Sequence, residues 1–487
     1  MTPVVTTSAG ALAGRRVVGD VCAYLGIPYA AAPVGDHRFA APRPASAWLG
    51  TRPATHHGAA PPQTAAPSPR PLLDLSAPNQ DEDCLTVSVW TPSPAPAARL
   101  PVMVWIYGGA YVTGAASLPA YDGARLAARG VVVVSVNYRL GLLGWLRCPA
   151  LGASGNQGLA DQFAALTWVQ REIAAFGGDA DNVTVFGESA GAGSIAAHLA
   201  GRGERPFARA VLQSGAHNLI KTEAAADDAA ARVLGALGGD AARLRTMTTA
   251  EVLTTQDTAT PRSGGVFYGP VADGDLVPTE PGRVLAGGHS AVPVLVGTNR
   301  DEMGFFWGRD ERFDVVTDDA LPVMVARWHA DPTLVITTYR EARARRGAPT
   351  DARSILVAIG SDATFRAGAM AIAGWQPRAH AYRFDHETPR YPGLVGAGHV
   401  LEVPFVFGTY DHQSVAAFTG HDVDAKGVAA LSNEVASAWV AFATTGDPGW
   451  PRYTTDRRAT RCFGSSPGVR HDPDGDERAV WDPFTLP

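Results

Sequence analysis

The stretch Asp181-Asn-Val-Thr-Val-Phe-Gly-Glu-Ser-Ala-Gly191 decides the fold of this 487-residue chain. It begins as an apolar run, ends in a glycine-containing turn and leads directly into the apolar segment Ala190–Leu199. A continuous apolar run bounded by turn residues is typical of a strand buried on both faces of a parallel sheet. The stretch therefore predicts a buried strand, a sharp turn and a helix that starts immediately after it.

The same alternation of strands and helices extends on both sides of this stretch. The predicted strands are Val17–Tyr24, Thr86–Thr91, Pro101–Tyr107, Gly130–Asn137, Ala210–Gln213, Val292–Val296 and Ala379–Phe384. From Gly158 to Phe176, the apolar residues Leu159, Phe163, Leu166, Val169 and Ile173 recur at spacings of three and four, which predicts a helix. Strands that alternate with helices predict an α/β fold with a mostly parallel sheet flanked by helices.

No boundary in the chain separates two independent cores. Pro53–Pro71 is rich in proline and is better interpreted as a surface loop than as a domain linker, and Asp314–Gln376 is predicted to be mainly helical. The Arg-rich stretch Arg340–Arg346 is predicted to be a solvated helix face. We therefore predict one large domain over residues 1–487, with helical insertions.

Composition excludes several classes of function. Apolar residues make up 46% of the chain and charged residues 18%, so a large core can form. The formal net charge of -6 argues against a nucleic-acid or anionic-membrane partner. Apolar runs such as Val131–Val136 are much shorter than the roughly 20 residues that cross a bilayer, so no membrane insertion is predicted.

The cysteines and the first residues bear on redox state and location. Four cysteines lie far apart without a C-x-x-C pair, which argues against a compact metal or redox site (Cys22, Cys84, Cys148 and Cys462). Met1–Gly10 shows neither the basic start nor the apolar core of a secretory signal. We predict a cytoplasmic protein with reduced thiols.

Gly187-Glu188-Ser189-Ala190-Gly191 matches the G-x-S-x-G pattern of a serine nucleophile. The pattern alone is weak, because the chain contains 53 glycines. Its position between a strand and a helix is more specific and is typical of a nucleophile elbow. A helix N-terminus also favours developing negative charge beside Ser189. The alternative interpretation is a structural turn with a capping serine.

A catalytic serine needs a base and a carboxylate, and on this architecture both follow it in the chain, the carboxylate first. Asp301 and Glu302 both follow the Val292–Val296 strand, and spacing does not separate them. His386 and His399 both follow the next predicted strand, and that choice is also open from spacing.

Small and aromatic residues near these candidates suggest further parts of a site. The turn Gly108-Gly109-Ala110 follows a predicted strand and is suited to direct backbone N–H groups at an oxyanion, although it is also compatible with an ordinary turn. Four aromatic residues either line a substrate pocket or belong to the core: Tyr111, Phe305, Phe306 and Trp307.

Short motifs follow one another in order over nearly the whole chain. They are Ile27–Ala30 with Arg38-Phe39, Glu82–Leu85, Trp105–Ala110, Val136–Gly141, Gly155–Gln162, Phe176–Asp179, Val185–Gly191, Leu212–Gly215, Pro270–Gly274, Asn299–Glu302 and His399–Gly408. Together they resemble the type B carboxylesterase and cholinesterase family of α/β-hydrolases, and within it the bacterial para-nitrobenzyl esterase-like carboxylesterases. The resemblance is weakest between about residues 310 and 380.

The resemblance implies a complete set of site residues. They are Ser189 as nucleophile, His399 as base, Glu302 as triad carboxylate, the N–H groups of Gly109, Ala110 and Ala190 as oxyanion donors, and Ser214 and Glu188 as supporting residues. For Glu188, a purely structural role as a buried hydrogen-bonded carboxylate remains an equal alternative. No metal or organic cofactor is implied.

Three positions depart from the family's pattern. Val400 stands where the family usually has a glycine after the catalytic histidine, so the loop is expected to differ in shape. Cys84 lacks the upstream cysteine with which many relatives pair it, because that region reads Ala-Ala-Pro-Pro-Gln63. Tyr107 replaces the histidine of many bacterial relatives.

These observations predict a serine hydrolase that cleaves small-molecule carboxylic esters through an acyl-enzyme. One alternative is the same machinery acting on amides, carbamates or lactones, because the chemistry is shared. The other is a catalytically silent binding protein of the same family. The presence of all three triad residues argues against the silent protein.

Overall fold

Most strands belong to one large sheet. In the computed structural model, which describes residues 2–64, 70–73, 77–203, 205–260, 266–288 and 292–481, the strands are β1 (Val4–Thr7), β2 (Gly10–Ala13), β3 (Arg15–Arg16), β4 (Cys22–Pro28), β5 (Thr51–Pro53), β6 (Thr86–Thr91), β7 (Leu100–Ile106), β8 (Val132–Val136), β9 (Arg147–Cys148), β10 (Ala153–Ser154), β11 (Gly178–Glu188), β12 (Arg209–Gln213), β13 (Val294–Asn299), β14 (Ala379–Phe384), β15 (Ala459–Phe463) and β16 (Gly468–His471). Eleven of them form a sheet in the order β16-β15-β14-β13-β12-β11-β7-β8-β6-β4-β3.

The centre of this sheet is parallel. All neighbouring pairs from β8 through β7, β11, β12, β13 and β14 to β15 run in the same direction. The outer pairs are antiparallel. The predicted mostly parallel sheet is therefore confirmed. Because parallel strands end at the same edge, the segments that follow β11, β12, β13 and β14 meet there.

Helices flank the sheet. They are α1 (Ala124–Ala127), α2 (Gly141–Trp145), α3 (Gln157–Glu172), α4 (Ala190–Ala200), α5 (Glu223–Ala236), α6 (Arg243–Thr246), α7 (Thr249–Ala259), α8 (Pro281–Ala286), α9 (Glu302–Trp307), α10 (Leu321–Val325), α11 (Pro332–Arg345), α12 (Ala352–Ser361), α13 (Ala367–Trp375), α14 (Val403–Phe407), α15 (Ala416–Thr419), α16 (Ala425–Thr445) and α17 (Gly475–Ala479). A π-helical turn, Asp362–Arg366, joins α12 to α13.

Two of the predicted strands agree with the structure in their bounds. The strands predicted at Thr86–Thr91 and Ala379–Phe384 have these bounds in the structure. The strand predicted at Val17–Tyr24 is shifted to β4, because Val17 and Val21 close a tight turn through backbone hydrogen bonds. The proline-rich loop predicted at Pro53–Pro71 lies partly outside the described residues.

One predicted core residue of α3 is exposed. Phe163 keeps 45% of its surface accessible, whereas its neighbour Gln162 is fully buried. The Gln162 amide donates to Ser194 Oγ at 3.1 Å and its oxygen lies 3.2 Å from His198 Nε2. Burying a polar side chain costs free energy unless it is hydrogen-bonded, and these contacts offset that cost for Gln162.

The region after β13 is mainly helical, as predicted, and packs around a second apolar cluster. The stretch predicted as a solvated helix face is largely exposed, but it also makes ion pairs: Arg345 with Asp476 at 2.7 Å, and Arg346 with Glu477. These pairs connect α11 to α17.

One helix has the length and composition of a membrane span among the described residues. Ala352–Trp375 has a mean hydropathy of 1.4 over its most apolar window, but 78% of that window is buried inside the protein. Such burial is typical of a core helix. The four cysteines, all of them within the described ranges, are buried and unpaired.

Arg139 and Asp161 form a buried ion pair that connects the segment after β8 to α3. Their side chains are 2% and 0% exposed, and the guanidinium donates to both carboxylate oxygens at 2.7 and 2.8 Å. Asp161→Asn leaves the Arg139 charge uncompensated, so we expect the free energy of unfolding to fall by about 3–5 kcal/mol. Urea unfolding measures the change.

The matched control is Asp20→Asn, which breaks the exposed pair Arg16–Asp20. We expect it to leave the midpoint of unfolding unchanged, because exposed pairs contribute little. Equal effects of the two substitutions would contradict the importance of the buried pair.

Candidate active site

Four of the predicted site residues meet at the carboxyl edge of the parallel strands. Ser189 follows β11, Ser214 follows β12, Glu302 begins the helix after β13, and His399 lies in the long segment after β14. These strands are neighbours in the order β11-β12-β13-β14. The sheet therefore brings together residues that are far apart in the chain.

Ser189 occupies the strained turn that the sequence predicts. Its backbone has φ 54° and ψ -119°, a conformation that non-glycine residues rarely adopt. A Cβ atom on Gly187 would lie 2.6 Å from the Ile106 carbonyl oxygen, and one on Gly191 would lie 1.9 Å from it. Both glycines of the motif are thus required because the elbow packs directly on the end of β7.

The turn after β7 also packs on the elbow. A Cβ atom on Gly108 would lie 2.9 Å from Ser189 Cβ, so only glycine permits this approach. The Gly109 carbonyl accepts the N–H groups of Val112 and Thr113, both at 3.0 Å, and therefore points away from Ser189.

Three backbone donors beside Ser189 are available to a ligand. They are the N–H groups predicted as oxyanion donors, those of Gly109, Ala110 and Ala190. None of them donates to an acceptor within the described part of the chain. Unsatisfied N–H groups next to a helix N-terminus suit a developing negative charge.

Glu302 and His399 are in direct contact. His399 Nδ1 donates to Glu302 Oε2 at 2.5 Å, and both side chains are buried. The other oxygen of Glu302 accepts the Ser214 hydroxyl at 2.5 Å and the Asn299 N–H at 2.7 Å. These bonds orient the carboxylate toward the imidazole, as expected of the acidic member of a triad.

The two residues that spacing left as alternatives have other partners. Asp301 donates its N–H to the Ala397 carbonyl at 2.9 Å, and its carboxylate accepts the Ala397 N–H at 3.0 Å. It therefore holds the loop that leads to His399 without touching the imidazole. His386 lies 2.8 Å from the Thr419 carbonyl and packs against Phe405.

The free nitrogen of His399 faces Glu188 in this structure. His399 Nε2 lies 2.9 Å from Glu188 Oε1, without the alignment of a hydrogen bond. No hydrogen bond joins His399 to Ser189 within the described residues. In unliganded enzymes catalytic hydrogen bonds are often poorly aligned and tighten only when substrate binds.

The two carboxylates control the protonation of the imidazole. Burial by itself would lower the pKa of His399, but Glu188 and Glu302 outweigh it and raise the pKa well above its usual value. Burial also raises the pKa of Glu188, and His399 offsets only part of that rise.

A third buried carboxylate, Glu402, was missed from the sequence. Its oxygens accept the Gln213 amide at 3.0 Å and the Asn299 amide at 2.7 Å. Burial, together with the nearby Glu188 and Glu302, raises its pKa to about 8, which favours its neutral form. The only available signal was an acidic residue three positions after His399.

Val400, at the position where the family usually has a glycine, has a strained backbone conformation. Its φ of 72° lies in the left-handed region, where glycine is favoured and a β-branched residue is strained. The loop therefore has a backbone conformation that the family's glycine adopts freely, and Val400 tolerates the strain in a site that buries its side chain.

One of the four aromatic candidates is exposed and three are buried. Phe306 is 41% exposed, and its ring centroid lies 5.0 Å from that of His399. Phe305, Trp307 and Tyr111 are buried. Phe365, which no sequence motif indicated, has its ring centroid 4.6 Å from that of His399.

Comparisons with known proteins agree with this geometry. A model of the carboxylesterase family matches residues 1–480. The chain is 39% identical to a para-nitrobenzyl esterase of Bacillus subtilis, covering 98% of this chain and 97% of that one. It is 34% identical to a phenmedipham hydrolase of Pseudarthrobacter oxydans, covering 95% of each. The crystal structure of a Geobacillus stearothermophilus carboxylesterase superposes with a TM-score of 0.86 at 37% identity, over 98% of this chain and 100% of the other.

The contact between Glu188 and His399 predicts a pH effect. With His399 as the predicted base, only its neutral form accepts a proton, so its raised pKa places the ascending limb of the pH profile of kcat/KM above pH 6.5. Glu188→Gln removes one of the two charges that raise this pKa, and we expect the limb to move to lower pH by about 1 unit or more. A pH series of kcat/KM with a small ester measures it.

Glu172→Gln is the control, because Glu172 is a buried carboxylate whose hydrogen bonds go to Ser8 and Arg171. If the ascending limb of the pH profile does not move in Glu188→Gln, the 2.9 Å contact does not influence the titration of His399.

Proposed function

This chain belongs to the carboxylesterase family and is a carboxylic-ester hydrolase, and we propose that Ser189, His399 and Glu302 perform the hydrolysis. The observation that carries the assignment is the imidazole of His399, held by Glu302 and located at the same sheet edge as the elbow of Ser189. The partner is a small-molecule ester, and no cofactor takes part in the proposed steps.

Acylation begins when His399 takes the proton of Ser189 as the hydroxyl oxygen attacks the ester carbonyl. For this step the Ser189 hydroxyl replaces Glu188 as the partner of Nε2. Glu302 stabilises the imidazolium that forms and holds its tautomer. The imidazolium then protonates the departing alcohol, which leaves the acyl group on Ser189.

The tetrahedral intermediate is stabilised by the unpaired N–H groups of Gly109, Ala110 and Ala190. Removing one such donor from a serine hydrolase costs roughly 3–4 kcal/mol of transition-state stabilisation. The donors are fixed before substrate arrives, because the turn after β7 and the elbow pack directly on each other. Water then attacks the acyl-enzyme with His399 again as base.

The exposed ring of Phe306 supports a proposal about substrate shape. It is an apolar surface beside His399, and burying apolar area of an ester against it favours binding. We propose that esters with an aromatic or bulky apolar group are preferred over short aliphatic ones. The name of the Bacillus relative, a para-nitrobenzyl esterase, agrees with this preference.

We also propose a cytoplasmic location. The four cysteines support it, since they are buried and unpaired although one of them, Cys84, lies in a motif that many relatives use for a disulfide. Cytoplasmic proteins keep their thiols reduced.

Ser189→Ala should leave a folded protein and remove nearly all ester turnover, because no other nucleophile is placed at the elbow. Covalent labelling by a fluorophosphonate should disappear with it. The control is Ser194→Ala, which removes a buried hydroxyl on α4 bonded to Gln162. Persistent labelling of Ser189→Ala would place the nucleophile elsewhere.

Glu302 and Asp301 form a matched pair of neighbouring carboxylates. Glu302→Gln removes the charge in contact with His399, and we expect kcat to fall by about 10²–10⁴-fold. Asp301→Asn keeps an oxygen that accepts the Ala397 N–H, so we expect a much smaller loss. Steady-state kinetics of both variants on one ester measures the two losses of kcat. Equal losses would contradict the assignment of Glu302.

A further inference from the structure

The π-helical turn Asp362–Arg366 interrupts an otherwise continuous helix, Ala352–Trp375. Such turns are rare and often lie at functional sites. Each inserts a residue into the helical repeat, which changes the direction of the side chains that follow. Here the turn contains Phe365, whose ring packs on His399.

Three phenyl rings lie near the imidazole; the ring of Phe305 is the most distant, at 6.2 Å between centroids, and the other two are closer. The ring of Phe365 lies 4.6 Å from that of His399 between centroids, at 35°, and the ring of Phe306 lies at 5.0 Å and 38°. Glu302 contacts Nδ1, and Glu188 lies 2.9 Å from Nε2 without the alignment of a hydrogen bond. Both carboxylates lie at the edge of the imidazole, so packing of the phenyl rings adds a restraint on the plane of the ring. Phe365 is 5% exposed, whereas Phe306 is 41% exposed, so Phe365 is the more confined of the two.

Buried polar contacts hold the turn itself. Arg366 donates to Asp362 at 2.6 Å, and the Tyr339 hydroxyl donates to the same Asp362 oxygen at 2.5 Å. Trp481 in turn donates to the Tyr339 hydroxyl at 2.7 Å. Breaking such a network in a buried site is costly, so the turn is rigid.

The turn and the residue just before it, Ser361, are hydrogen-bonded to the segments that follow Ser214 and Glu302. The Asn218 amide, four residues after Ser214, donates to the Thr364 carbonyl at 2.9 Å. The Ser361 hydroxyl accepts the N–H of Met303, which follows Glu302 directly, at 3.0 Å. The position of Phe365 is thus set relative to the same segments that carry Ser214 and Glu302.

We propose that Phe365 is a positioning residue: presented by the π turn, it holds the plane of the His399 imidazole for both proton transfers. The proposal rests on the assignment of His399 as the base. Misplacing a catalytic group by about 1 Å costs up to about 10²-fold in rate. The loss of the ring face therefore affects kcat for every ester, whatever its size.

The experiment compares Phe365→Leu, Phe365→Tyr and Phe418→Leu on para-nitrophenyl acetate and butyrate. For Phe365→Leu we expect kcat to fall by about tenfold or more on both esters, with KM changed by less than about threefold. Phe365→Tyr keeps the ring face and should retain most of kcat. Phe418 is buried and packs on Phe305, so Phe418→Leu controls for the loss of a nearby aromatic ring.

A double-mutant cycle with His399→Ala separates positioning from other roles. If Phe365 acts through the imidazole, Phe365→Leu adds no loss to the residual rate of His399→Ala. An added loss of the full single-mutant size would overturn the proposal, as would a raised KM with unchanged kcat, which identifies a substrate wall. A loss in Phe418→Leu equal to that in Phe365→Leu would also overturn it. Full activity of His399→Ala would instead refute the proposed function.

Discussion

The site depends on one close contact, that of the nucleophile elbow with the carbonyl of Ile106 at the end of β7. Gly187 and Gly191 both face this oxygen at distances that leave no room for a Cβ atom. The contact brings the strained backbone of Ser189 next to the turn that carries Gly109 and Ala110. Oxyanion donors are effective when they are fixed before the reaction, and here the packing of two central strands fixes them.

The second determinant is the distribution of negative charge around one imidazole. Glu188, Glu302 and Glu402 are all buried near His399, and three adjacent carboxylates repel one another if all are ionised. Burial and the two neighbouring carboxylates raise the pKa of Glu402 to about 8, which favours its neutral form and reduces this repulsion. Glu302 receives two other hydrogen bonds and contacts Nδ1, and Glu188 lies near Nε2. Both can therefore stabilise the imidazolium during acyl transfer.

The helices after β13 connect this site to α17 and Trp481. The π turn packs Phe365 on His399, and its acidic residue, Asp362, is bonded to Tyr339, which Trp481 contacts in turn. Ion pairs between α11 and α17 add to the same connection. The region in which the family resemblance is weakest thus supplies a ring that packs on His399.

The sequence by itself determined the elements whose cause is local. The strand, turn and helix around Ser189 follow from an apolar run that ends in a glycine-containing turn, and the parallel sheet follows from repetition of such runs. Residue spacing did not distinguish Asp301 from Glu302 or His386 from His399; the family resemblance did. Tertiary structure decided which of them touch, because the contact between Glu302 and His399 joins residues 97 positions apart. Phe365 and the buried Glu402 also emerged only there, since burial and ring packing depend on segments that no local pattern connects.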